Sequence, residues 1–336
     1  MTGGRFFEDF THGEDIAHAT PRTLTAGDAA VYQSLYGVRF APQSSAEFAR
    51  ALGYRAAPLD DWLVFHVIFG KSVPDISFNA VANLGYAEGV FLAPVFAGDT
   101  LKARSQVIGL KANSDGKTGI VMVRTTGLNQ EGAEVLRYIR WVMVARRAPA
   151  DAPPDEAASL PDVAPVVAPD ALQPPPVDYA RADIAVSGDA RLFEDYKVGD
   201  RLEHPSGITL EEAEHMLATR LYQNTARVHF DAYRQAETRF KRRLVYGGHI
   251  ISHARALSFD GLANAYGVAA LNAGTHAAPA FAGDTIYAAS EILDRAEISG
   301  RSDIGALRVR HIVVKDADFD DACILDLDCW VWMPRR

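Results

Sequence analysis

The sequence predicts an α+β fold made of two tandem copies of one unit, each a long helix wrapped by an antiparallel sheet. Three observations predict it. Segments recur in the same order across the two halves, and a stretch rich in proline and alanine separates them. Within each half, apolar residues first follow a helical period and then alternate with polar ones.

The recurrence is specific. "RFFEDFTHGEDIAH" (residues 5–18) returns as "RLFEDYKVGDRLEH" (191–204), and "APVFAGDTL" (93–101) as "APAFAGDTI" (278–286). "RWVM" (140–143) is echoed by "CWVW" (329–332) at nearly the same offset. The period is far too long for a solenoid, so these are two copies of a domain. Residues 148–178 carry proline and alanine with no sustained apolar period, as an extended linker does. The expected domains are 1–147 and 179–336.

In the second copy, Ile250, Ile251, Ala254 and Leu257 share one face of a helix predicted over 248–262, preceded by a shorter helical stretch over 209–220. "IGALRVRHIVV" then alternates Leu307 and Val309 with Arg308 and Arg310, and "CILDLDCWVWM" alternates Leu325 and Leu327 with Asp326 and Asp328. These are strands of a half-buried antiparallel sheet. In the first copy, Trp62, Phe65 and Phe69 read as helix packing, with Asp60 and Asp61 as cap and dipole partner at its start. The "AGDT" turns at Gly98-Asp99 and Gly283-Asp284 suggest hairpin connections, which argues against a catalytic role for those aspartates. A helix wrapped by a sheet, twice in one chain, is a double hot dog.

Net charge is −9, so no basic field is present to hold a phosphate backbone, and nucleic-acid binding is not expected. No apolar run approaches the roughly 20 residues of a membrane span, and the first residues lack the apolar core of a signal peptide. A cytoplasmic protein is the resulting expectation. Cys323 and Cys329, evenly spaced on one strand, read as two free buried thiols. His249 and His253, four apart on the central helix, could ligate a metal, but no third ligand appears nearby. A structural or pocket-lining role is the simpler reading, and His66 at the comparable place in the first copy supports it.

The segment between the two helical stretches of the second copy, "LYQNTARVHFD" (221–231), resembles the motif of MaoC-like (R)-specific enoyl-CoA hydratases. In that motif an aspartate stands five residues before a histidine, with Asn-Pro between. Here His229 holds the histidine position, Asn224 the aspartate position, and Ala226-Arg227 replaces Asn-Pro. Longer stretches, "HATPRTLTAGD", "PLDDWLVFHVIFGKSVPDISFNAVANLGYAEG" and "TRLYQNTARVHFD", resemble the mesaconyl-CoA hydratase (β-methylmalyl-CoA dehydratase) family within that group. The resemblance covers nearly the whole chain outside the linker. It implies reversible addition of water to mesaconyl-C1-CoA (2-methylfumaryl-CoA), giving β-methylmalyl-CoA, as in the ethylmalonyl-CoA route. It implies no metal or organic cofactor.

Hydrating an α,β-unsaturated thioester needs a base for water, a proton for the α-carbon and stabilisation of the enolate oxygen. A histidine can take a proton from water and return one, so His229 is assigned the general-base role. Asn224 can orient a water through its amide oxygen but cannot act as a base. An asparagine suits a substrate with its own carboxylate, which a second carboxylate would repel. Arg227 is the first candidate to grip that carboxylate, with Arg220 and Arg243 as competitors. The backbone N–H groups of Gly247 and Gly248, where the central helix begins, are candidates for the enolate oxygen. Asp231 reads as a local hydrogen-bonding support. The first copy has "LYGVRFAPQ" at the corresponding place, with Arg39 read as the counterpart of His229, and is expected to be non-catalytic. A general (R)-specific hydratase, a hot-dog acyl-CoA thioesterase and a non-catalytic acyl-CoA-binding module are the alternatives. A homodimer is possible.

Overall fold

The computed structural model describes residues 3–148, 160–320 and 323–336. The first copy runs β1 (Asp15–Thr23), α1 (Ala26–Tyr36), α2 (Ala41–Ser44), α3 (Ala46–Leu52) and the central helix α4 (Asp61–Ser72). Strands β2 (Ala80–Phe91), β3 (Thr100–Ala112), β4 (Thr118–Leu128) and β5 (Glu134–Ala145) follow. The second copy repeats the order. Short strands β6 (Arg201–Glu203) and β7 (Ile208–Thr209) precede α5 (Glu212–Leu221), α6 (Arg227–Phe230), α7 (Ala232–Gln235) and the central helix α8 (Gly247–Leu257). After α9 (Phe259–Leu262) come β8 (Gly267–Thr275), β9 (Thr285–Glu297), β10 (Ile304–Lys315) and β11 (Cys323–Pro334).

The described strands form one antiparallel sheet in the order β1-β3-β4-β5-β2-β8-β11-β10-β9-β6, with β7 also on β9. Its midpoint is the pairing of β2 with β8, where Tyr86 faces Gly274 and Val90 faces Ala270. The order on one side of that pairing mirrors the other, so the duplication visible in the sequence is a pseudo-two-fold in the fold. Each half of the sheet curls around its own helix, and α4 and α8 lie against each other inside.

Helix α4 is apolar on nearly every side and buried from Trp62 to Ser72, as a helix wrapped by a sheet must be. Asp60 caps it by accepting from the Trp62 N–H at 2.9 Å. Helix α8 is buried from Gly248 to Arg255 but ends at Leu257, short of the predicted 262. The backbone leaves the helical region at Asp260 and Gly261, where φ is +123°, a conformation that glycine adopts without strain.

The two "AGDT" turns are not hairpin connections. β2 and β3 are separated in the sheet by β5 and β4, as β8 and β9 are by β11 and β10, so each turn ends a crossover and leads into the next strand. Their aspartates are structural: the Asp99 carboxylate accepts from the Phe96 N–H, and that of Asp284 from the Phe281 N–H, both at 2.8 Å. Residues 160–178 cross the outer face of the sheet from the first half to the second: Leu160 and Pro161 lie over Gly109 of β3, and the Ala164 N–H donates to Glu88 of β2 at 2.9 Å. Val167 accepts from the Trp330 indole at 3.0 Å and donates to Asn272 Oδ1 at 2.9 Å. Cys329 is buried, but a register shift opposite Val313 and Val314 leaves Cys323 only half-buried, so the two thiols are not a buried pair. Among the described residues no helix is long and apolar enough to cross a membrane.

Candidate active site

The site is built where the second copy's overhang, residues 222–231, lies on the end of the first copy's central helix. Gln223 turns the chain with a φ of +54°. Asn224 follows, buried, and its Oδ1 accepts from the Ala226 N–H at 3.0 Å, which starts the single turn of α6. The oxygen thus closes a turn, and what Asn224 offers the site is its amide NH2, which has no partner among the described residues. Gly70 permits the approach. A Cβ there would stand 1.9 Å from the Tyr222 carbonyl oxygen and 3.2 Å from the Asn224 nitrogen.

His229 is the third residue of α6 and is buried. Its Nδ1 lies 2.8 Å from the Leu244 carbonyl oxygen. A carbonyl only accepts, so Nδ1 carries the proton and Nε2 keeps its lone pair. No described side chain or backbone group hydrogen-bonds to Nε2. Burial, partly offset by the Leu244 bond, lowers the His229 pKa to about 4, so the ring is neutral at pH 7. The next stretch of chain forms the start of α8. The Tyr246 N–H donates to His215 Nε2 at 2.9 Å, and the Tyr246 ring lies 5.5 Å from that of His229.

The N–H groups of Gly247 and Gly248, in the first turn of α8, have no acceptor among the described residues, and the helix dipole points its positive end at them. Both glycines make room for imidazoles. A Cβ on Gly247 would meet His276 at 2.3 Å, and one on Gly248 would come within 2.6 Å of the His66 ring. His276 Nε2 is buried and has no partner among the described residues. Burial, then the neighbouring His229, lowers its pKa to about 4.

The other residues singled out from sequence fall in several places. Arg227 is half-buried with its guanidinium 4.3 Å over the Phe78 ring, Arg220 is exposed, and Arg243 is held in an ion pair by Glu212. Asp231 caps α7 by accepting from the Arg234 N–H at 3.0 Å. His249 and His253 hydrogen-bond to each other at 3.2 Å, with the Tyr36 hydroxyl on His249 Nδ1 at 2.8 Å. Counted from the first residues of α4 and α8, His66 corresponds to Ser252 and not to His253, and the two equivalents meet at 3.1 Å. Arg39 is not the counterpart of His229. It is exposed and paired with Asp260 at 3.1 Å, whereas Gln43 is the third residue of α2 as His229 is of α6.

Sequence reasoning missed residues that other strands bring in. His276 follows β8, and Tyr86 of the first copy lies 6.0 Å from it, ring to ring. Opposite Tyr86 in the sheet is Arg140, fully buried on β5. Its Nη2 donates to Ser72 Oγ at 2.8 Å, its Nη1 reaches Ser77 Oγ at 3.4 Å, and its Nε has no partner among the described residues. The guanidinium lies 4.3 Å over the Phe69 ring, which in turn is 5.7 Å from that of Tyr246. The available signal was the difference between the copies: in the aligned repeats Phe91 stands where His276 does, and Cys329 where Arg140 does.

The chain is similar to known proteins along nearly its whole length. The mesaconyl-CoA hydratase family model matches residues 1–322. The chain is 56% identical to a β-methylmalyl-CoA dehydratase of Chloroflexus aurantiacus, over 99% of this chain and 98% of that one. It is 53% identical, with the same coverage, to a mesaconyl-CoA hydratase of Cereibacter sphaeroides. A solved MaoC domain dehydratase structure from Chloroflexus aurantiacus superposes with a TM-score of 0.96 at 55% identity, covering 100% of this chain and 99% of that one. A double hot-dog protein of Mycobacterium tuberculosis superposes at 0.77 and 29% identity, covering 99% of each chain.

Proposed function

The chain belongs to the mesaconyl-CoA hydratase family, and on that premise we propose that His229 is the base with which it activates water. The enzyme is a hydro-lyase that adds water reversibly across the double bond of mesaconyl-CoA to give β-methylmalyl-CoA. The two names borne by its relatives describe the two directions of this one reaction.

The observation that carries the assignment is the free Nε2 of a neutral, buried His229 beside two free N–H groups at the start of α8. In the proposed mechanism, Gly247 and Gly248 receive the thioester oxygen, and the positive end of α8 stabilises the enolate that develops there. Nε2 takes a proton from water as its oxygen bonds to the β-carbon. The resulting imidazolium returns that proton to the α-carbon, so one water is consumed and the base is regenerated. Asn224 holds the reactants through its NH2 and carries no charge. A carboxylate there would repel the one that mesaconyl-C1-CoA, the regioisomer we propose, carries on its β-carbon.

The first copy serves as the floor and wall of this site. At its own counterpart, Gln43 replaces the histidine and the half-buried Asp61 replaces Gly247. Residues 173–179 cover that place, leaving a cavity of about 40 Å³, room for a water or two. β2 and β8 already pair within the chain, so a homodimer, where formed, adds nothing this site needs.

Incubation of the purified chain with mesaconyl-CoA, followed by mass spectrometry of the CoA esters, tests the reading. The expected product is the water adduct at equilibrium with substrate. Release of free CoA instead would make the protein a thioesterase, and binding without turnover an acyl-CoA-binding module.

A further inference from the structure

We propose that Arg140, from the first copy, is the counter-ion for the free carboxylate of the substrate's acyl group. The inference rests on the hydratase reading above and supplies it with a specificity residue. Arg140 has no exposed surface and forms no ion pair among the described residues. Two serine hydroxyls meet its Nη atoms, while its Nε and the nearby Tyr138 hydroxyl are buried without partners among the described residues. A guanidinium cannot shed its charge at neutral pH, and an enclosed charge without a counter-charge destabilises a fold. Arg227, the cation on the overhang itself, is half-exposed, and water already solvates it. Pairing there gains little.

The pseudo-two-fold sharpens the case. Arg140 on β5 packs against Phe69 of α4, and the equivalent pair in the other copy is Cys329 on β11 with Arg255 of α8. Each half thus buries one guanidinium at the same place, offered from the strand in one copy and from the helix in the other. Arg255 has protein carboxylates acting on it, those of Asp60 and Asp61 at the start of α4. Their equivalents at the start of α8 are Tyr246 and Gly247, which carry no charge. One pseudo-site sets two acids of the chain near its arginine, at the start of the facing helix; the other has none at that place. Mesaconyl-C1-CoA brings a carboxylate on the carbon that receives the hydroxyl, and two rings link His229 to Arg140: Tyr246 beside the imidazole and Phe69 beneath the guanidinium.

Calorimetric titration with two saturated thioesters tests this without requiring turnover. One is 2-methylsuccinyl-CoA, esterified next to the methyl group; the other is 2-methylbutyryl-CoA, with a methyl in place of the carboxylate. The wild-type chain is expected to prefer the first by about 30-fold or more. Arg140→Gln is expected to erase that preference while leaving 2-methylbutyryl-CoA affinity within about threefold, and Arg140→Lys to keep part of it. Because the arginine is uncompensated, Arg140→Gln should melt no lower than wild type. Loss of affinity for both esters alike, or a preference that survives in Arg140→Gln, would overturn the assignment. So would a preference lost in Arg227→Gln and kept in Arg140→Gln. Wild-type turnover of mesaconyl-CoA, measured alongside, separates failure of this assignment from failure of the hydratase reading.

Discussion

His229 donates from Nδ1 to the carbonyl oxygen of Leu244 at 2.8 Å. That one bond fixes the tautomer and aims the basic nitrogen away from the strut, toward the start of α8. The bond is made to backbone, so it does not depend on a carboxylate partner. The ring can therefore work as a base beside an asparagine.

Replacing His229 should remove activity without removing the fold. His229→Ala is expected to lower kcat by about 10²–10⁴, with circular dichroism unchanged. His229→Gln should be equally inactive, because it restores a hydrogen bond but no base. Steady-state kinetics on both variants checks this.

The pH profile follows from burial. With its pKa near 4, His229 is unprotonated throughout the neutral range, so kcat/KM should stay flat from about pH 6 to 8 and fall only as acid protonates the ring. A limb with a midpoint near the ordinary histidine value of about 6.5 would show that the free ring is far better solvated than this geometry allows.

Asn224→Asp places a carboxylate where the substrate is argued to bring its own. Activity on mesaconyl-CoA is expected to fall by about tenfold or more, while crotonyl-CoA, which carries no carboxylate, should be much less affected. Equal kcat/KM for mesaconyl-CoA in variant and wild type would remove the explanation given for the asparagine.

Acid should unfold this protein early. Nine histidines, at 18, 66, 204, 215, 229, 249, 253, 276 and 311, have pKa values lowered, in every case first by burial. The unfolded chain takes up protons at these sites below about pH 6.5, whereas the folded chain resists until lower pH. Their favourable burial is therefore complete above that pH and is lost as it falls toward 4. Each histidine contributes at most about 1.4 kcal/mol per pH unit. Thermal melts from pH 8 to 5 should show a plateau above 7 and a steep fall below 6.

Gly70→Ala tests the contact between copies. The added methyl would stand 1.9 Å from the Tyr222 carbonyl oxygen, so the overhang must shift. A loss of about 1–3 kcal/mol in stability, together with a fall in kcat, is the expected result in denaturant titration and kinetics.

The fold was legible because the chain states it twice. Duplicated segments and alternation such as Leu307-Arg308-Val309-Arg310 depend only on local pattern, which sequence displays directly. His229 stands out as a candidate from its neighbours at 221–231, and the structure places it buried with its Nδ1 on the Leu244 carbonyl. Arg140 and His276 were not legible, because their relation to His229 exists only after the sheet closes at β2 and β8. Their signal lay in what the copies do not share: Arg140 against Cys329, His276 against Phe91. The counterpart of His229 was misplaced at Arg39 for a related reason. Loop residues of the overhang carry no periodicity to register them, and the structure supplies that register through the matching turns of α2 and α6.

The most direct test of the central claim is turnover of mesaconyl-CoA in ¹⁸O-labelled water by the wild-type chain and His229→Ala. The account predicts wild-type product heavier by one labelled water, with the label in the new hydroxyl group, and no product from the variant above background. Undiminished adduct from His229→Ala, or label appearing in a free carboxylate released with CoA, would contradict it.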